Sequence, residues 1–133
     1  MPSLIAALSL ALGLAAQDPQ VAVVPKPSDF QGIWIGVAVV PEMGEDQVTL
    51  TLKVEKDACT GTMGDTMGLV ASPEIKGAKI DKARLTFTLD AANEAGIFPV
   101  YLELTLERDA LSGRWWNDNG ETGAVKLTRK PTL

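Results

Sequence analysis

The chain contains no histidine, and that removes much of the chemistry open to a small protein. Ser-His-Asp and Cys-His catalysis both need an imidazole base, and imidazole is also the commonest zinc ligand. The single cysteine, Cys59, alternates with Gly61 and Met63. It reads as a buried, inert core residue, because a reactive thiol needs exposure and a basic neighbour. Asn117, Asp118, Asn119 and Glu121 are the right residue types to cradle calcium, but their spacing matches no calcium loop. The Asn-Gly pair at 119–120 reads instead as a tight hairpin turn, where positive φ is required. Glu42, Glu45 and Asp46 read as a solvated turn. No glycine-rich loop leads a strand into a helix, so no phosphate cradle is expected. The expectation is a protein that is not an enzyme, with no catalytic residue, no metal and no cofactor.

The remaining functional candidates are apolar. Trp115, Trp116, Phe98, Met43, Met63 and Met67 form the expected ligand-binding set. Aromatic and methionine side chains at a loop rim are costly to leave in water unless something binds them, and methionine adapts to varied partners. The expected partner is a small apolar molecule or another protein. Seventeen acidic against twelve basic residues give a net charge of −5, which argues against nucleic acid and anionic membrane.

Residues 1–16 are an uncharged run of mainly Leu and Ala that ends in small residues. They read as a secretory signal peptide, cut after Ala15 or Ala16, and are too short to span a bilayer comfortably. Residues 17–29 hold Pro19, Pro25 and Pro27 and read as a Pro-rich extended leader. The expected location is secreted or periplasmic. One Cys excludes an internal disulfide, so residues 30–131 must form a domain that rests on hydrophobic packing.

Period-2 alternation dominates that domain. Eight strands are predicted: 31–40, 47–56, 58–63, 74–80, 83–89, 98–108, 111–116 and 122–129. Residues 64–73 read as irregular, and 91–96 as a loop or at most one helical turn. No stretch has useful helical periodicity. Eight up-and-down antiparallel strands with one apolar face each close into an all-β barrel, which removes exposed edges. There is also an internal repeat. Residues 48–63 align without gaps to 100–115, sharing a Glu-(Lys/Arg)-Asp-Ala turn and placing Gly61 on Gly113. The domain therefore reads as two similar four-strand halves.

Gly32-Ile33-Trp34 on the first strand, the eight-strand meander and a basic residue on the last strand resemble the calycin group of barrels. That group includes lipocalins, fatty-acid-binding proteins and avidins. Leu111-Ser112-Gly113-Arg114-Trp115 is similar to a late element of lipocalin-like domains in secreted bacterial proteins. The resemblance implies structural roles for Gly32, Trp34, Gly113 and Arg129. Trp34 would sit inside at the closed end, under Arg129 or, as the second choice, Lys126. The chain has neither the Thr-Asp-Tyr motif of lipocalins nor the helical lid of fatty-acid-binding proteins, so no subfamily or named ligand follows.

The two readings of strand 31–40 conflict. Extended without a gap, the repeat puts Trp34 outside, whereas the resemblance puts Gly32, Trp34, Gly36 and Ala38 inside. The second is preferred here, since an exposed Trp flanked by glycines is harder to explain. It leaves Ile33, Ile35, Val37 and Val39 as an outer stripe in need of a cover, from the leader or by self-association. The longer loops then share one end of the barrel and Trp34 plugs the other. The expected function is a non-enzymatic barrel that binds a small apolar ligand at its open end. The alternative is a structural or protein-interaction barrel whose interior is filled by side chains.

Overall fold

The computed structural model describes residues 24–56 and 58–131. The signal segment 1–16 and leader residues 17–23 lie outside them. Eight antiparallel strands run in sequence order around a closed barrel. They are β1 (Gly32–Val40), β2 (Gly44–Glu55), β3 (Ala58–Asp65), β4 (Val70–Asp81), β5 (Arg84–Asn93), β6 (Gly96–Glu107), β7 (Ala110–Asn117) and β8 (Thr122–Arg129). Closure comes from β1 pairing with β8, where Gly36 faces Leu127 and Ala38 faces Val125.

The alternation sorts β2, β5 and β6 as their patterns predict. Val48, Leu50 and Leu52 of β2 are buried, as are Leu85, Phe87 and Leu89 of β5 and Leu102, Leu104 and Leu106 of β6. The outward residues of β2 and β6 include Thr49, Thr51, Lys53, Glu103, Thr105 and Glu107. On these two strands the outer face is polar, unlike the apolar outer band of a membrane barrel. Among the described residues no helix is long and apolar enough to cross a membrane.

Two stretches depart from the expected elements. Residues 64–73 are mostly strand: β3 continues to Asp65 and β4 begins at Val70. The β4–β5 ladder does shift register between Val70 and Ser72, but its other shifts, between Ser72 and Lys79, fall mainly in the expected strand 74–80; bulges of this kind break the alternation that marks a strand. Residues 91–96 are neither a loop nor a helical turn. β5 runs to Asn93 and β6 starts at Gly96, which pair with each other. The Asn93 side chain accepts a hydrogen bond from the Ala95 amide (2.8 Å) and Gly96 takes φ +126°, so the hairpin needs only two linking residues. The leader is also not extended throughout. Pro27–Phe30 form a 3-10 turn, held by the Lys26 amide donating to the Asp29 carboxylate at 2.8 Å.

The internal repeat has a physical basis. In β3 Gly61 faces Leu52, and in β7 Gly113 faces Leu104. A Cβ at Gly61 would run into the Thr51 carbonyl oxygen, and one at Gly113 into that of Glu103. Both halves therefore bring two backbones together at the same point, where only glycine fits. The turns match as well, with Lys56 at φ +56° and Arg108 at φ +59°.

At the closed end, Trp34 points inward and is fully buried, as the resemblance implies. Its indole Nε1 donates to the Phe30 carbonyl at 2.9 Å, and Phe30, also fully buried, joins the core. The Arg129 guanidinium carbon lies 4.2 Å from the Trp34 ring centroid. Arg129 also donates to the carbonyls of Gln31 and Asp29, at 2.8 Å each. Gly32 takes φ +133°, and a Cβ there would approach Arg129 Nη1 to 3.0 Å. A side chain there would be strained at that φ and would press on the guanidinium. The cost of this arrangement is an outer stripe in which Ile33, Ile35 and Val39 are 39%, 37% and 38% exposed.

Candidate functional site

Away from Trp34 the barrel is not filled. A chamber of about 400 Å³ opens at the end where β1 meets β2, β3 meets β4, β5 meets β6 and β7 meets β8. Eight strands leave room inside for side chains alone or for one small ligand. Small Ala38 and Ala91 stand on its wall, where bulky Leu50, Leu85, Leu104 and Leu127 occupy the middle of the barrel.

Four of the six expected binding residues meet here. Met63 and Trp115 stand on the chamber wall, while Phe98 and Met43 lie nearer its rim. The Trp115 ring is pinned by its Nε1, which donates to the Val39 carbonyl at 2.9 Å. Gly123 gives it room, since a Cβ there would come within 2.6 Å of Trp115 Nε1. The other two are elsewhere. Met67 does not line the chamber, and its contribution is its backbone amide. Trp116 lies on the outer wall, because odd positions of β7 face inward and even positions outward. It lies beside Tyr101 (ring centroids 5.7 Å apart), with Arg114 4.3 Å from its ring centroid. Trp115→Ala is therefore expected to weaken an apolar probe about tenfold or more, while Trp116→Ala changes its affinity by less than about twofold. A fluorescence titration of both variants checks this, and a large loss for Trp116→Ala would move the site to the outer wall.

The rim holds polar groups that the strand-by-strand reading placed in solvent. Asp46 is not part of a solvated turn: it is only 3% exposed and borders the chamber. Its Oδ1 accepts from the Met67 amide (3.0 Å) and the Thr66 hydroxyl (3.3 Å). Burial, then the neighbouring Asp65 carboxyl, push its pKa up to about 6. Burial acts to raise Asp65 as well. That effect is outweighed by hydrogen bonds from Asp46 and from the Leu69 and Val70 amides, so Asp65 lies below the ordinary carboxylate range. The pair therefore holds one proton, on Asp46, over an interval of mildly acidic pH.

Asn117, 6% exposed, occupies the same place in the second half as Asp65 in the first. Its Oδ1 accepts from the Asn119 and Glu121 amides (3.0 and 3.1 Å), and its Nδ2 donates to Glu121 Oε1 (2.9 Å). Both residues lock a rim loop by capping its backbone amides. The signal for all three was alternation carried one step further. Asp46 continues Val48 and Leu50, Asp65 continues Gly61 and Met63, and Asn117 continues Gly113 and Trp115. Cys59 is half-buried against the core, and burial raises its thiol pKa.

The chain matches no protein-family model, no curated protein and no solved structure.

Proposed function

We propose that this chain is a secreted or periplasmic, non-enzymatic binding barrel of calycin type that holds a small apolar ligand in its open end. The observation that carries the reading is the chamber of about 400 Å³, bordered mainly by apolar residues such as Met63, Val70, Phe98 and Trp115. Its size falls within the range of roughly 300–1,000 Å³ typical of small-molecule pockets. The calycin assignment is supported by Trp34 lying under Arg129 at the opposite end. Secretion is supported by the apolar run at residues 1–16.

Native mass spectrometry of protein purified from its own host is expected to find a retained small molecule. The site itself is tested by filling it. Ala91→Trp is expected to weaken a fluorescent naphthylamine probe by about tenfold or more, the equivalent of about 1.4 kcal/mol. Unchanged affinity in a folded variant would place the ligand elsewhere.

The second reading, a structural or protein-interaction barrel, is favoured by the outer stripe of Ile33, Ile35 and Val39. A chain starting at Asp29, which lacks the leader residues Val21, Val23 and Val24, is then expected to self-associate in sedimentation. A monomer of unchanged stability would remove the need for a partner on this face.

A further inference from the structure

We propose that the chamber selects an apolar molecule with a cationic head, an alkyl- or arylammonium, and this rests on the chamber reading above. Twenty residues border the chamber, and none is Lys or Arg. Three carboxyl groups are among them: Glu42 from the β1–β2 turn, Asp46 at the start of β2, and Glu121 before β8. Glu42 and Asp46 share the β1–β2 hairpin, and Glu121 comes from the distant β7–β8 hairpin, which barrel closure brings to the same end. Among the described residues none of the three forms an ion pair, whereas Glu55, Asp90, Glu103 and Asp109 on the outside all do. Basic side chains are thus available to this protein, yet none stands at the mouth.

The chemistry follows from what each head group would meet. An alkyl chain of any amphiphile can occupy the apolar interior beside Val48, Leu89 and Leu102. A carboxylate head would then meet carboxyl groups with no cation to receive it; Glu42 and Glu121 are exposed, and repulsion is screened least beside buried Asp46. A hydroxyl head can donate one hydrogen bond to a carboxylate but brings no countercharge. An ammonium head supplies the missing countercharge and forms charge-assisted hydrogen bonds, which are about twice as strong as neutral ones. Asp46 is the group with most to gain. It is buried, and burial together with the neighbouring Asp65 carboxyl disfavours its ionised form, a cost that a cation beside it would offset.

Calorimetric titration of the folded protein at pH 7.5 with decylammonium, decanol and decanoate tests the assignment. Decylammonium is expected to bind about tenfold or more tightly than decanol, and decanoate more weakly than either. Asp46→Asn, and separately Glu121→Gln, should reduce the ammonium advantage severalfold while leaving decanol within about twofold. The decanol affinity also reports that each variant is folded. If decanol or decanoate equals or exceeds decylammonium, or if neither variant reduces the advantage, the head-group assignment is overturned while the apolar chamber stands. If none of the three probes binds, the chamber reading fails and this one with it.

Discussion

Trp34→Ala is expected to destabilise the barrel by about 3–5 kcal/mol, as for other large aromatic truncations in a core. The indole is fully buried, so its removal leaves a cavity that the sheet can close only by shifting β1 against β2 and β8. Two further losses accompany it. The Phe30 carbonyl loses its indole donor, and the Arg129 guanidinium loses the aromatic face beneath it. Phe30 and the 3-10 turn should loosen together, because this hydrogen bond ties them to β1. Urea unfolding read by circular dichroism measures the loss, and hydrogen exchange at residues 29–31 reports the loosening. A loss under about 1 kcal/mol, ordinary for a surface substitution, would mean that Trp34 is not a structural centre. Ligand affinity should change little in the folded fraction, since the chamber lies at the other end.

Asp46→Asn is expected to raise stability at pH 7 and to flatten its dependence on pH between about 4 and 7. Asp46 has a folded pKa raised from 3.8 to about 6. The folded state therefore binds its proton more tightly than the unfolded state. The stability this contributes is fully present below pH 4 and is lost as pH rises through 6. Asp65, shifted down, acts in the opposite sense. Its contribution is present above pH 4 and is lost as pH falls through its depressed pKa. The pair thus supports the fold best in the singly protonated interval, near pH 4–5. By linkage the change across the upper window is about 2–3 kcal/mol. Asn has the shape of the neutral acid and can donate to Asp65, so it keeps the favourable state at neutral pH. Unfolding of wild type and variant at half-unit pH steps tests this, with the difference between the two curves isolating the pair. A constant difference from pH 4 to 7 would show that Asp46 does not titrate with folding.

The strands were legible because one apolar face per strand writes a period of two into the chain. That rule gave most of β2 and β6 and residues 84–89 of β5, and it failed where it was interrupted. The Val70–Pro73 start of β4 and the Ala91–Asn93 end of β5 carry few large apolar residues, so they read as irregular. The candidate site was legible in its apolar part, through Met43, Met63, Phe98 and Trp115. Its acidic part was missed because Asp46 and Asp65 are polar, and polar residues at strand ends resemble solvated turns. Continuing the alternation by one step places both inside.

The sequence alone determined the strand count, the antiparallel order and the end at which the longer loops gather, since these follow from local alternation and from chain direction. It left two answers for the face of Trp34, because Ile33, Ile35 and Val37 are as apolar as the residues between them. Only closure decided it. When β1 pairs with β8, Gly36 meets Leu127 where a Cβ would strike the Lys126 carbonyl, and Arg129 arrives over the indole. The chamber likewise exists only in three dimensions. Its volume depends on which small and large side chains share a level of the barrel, and residues at one level are strands apart in the chain. The same holds for Asp46 and Asp65, nineteen positions apart in sequence. Their shared proton arises from burial and proximity, which no local pattern encodes.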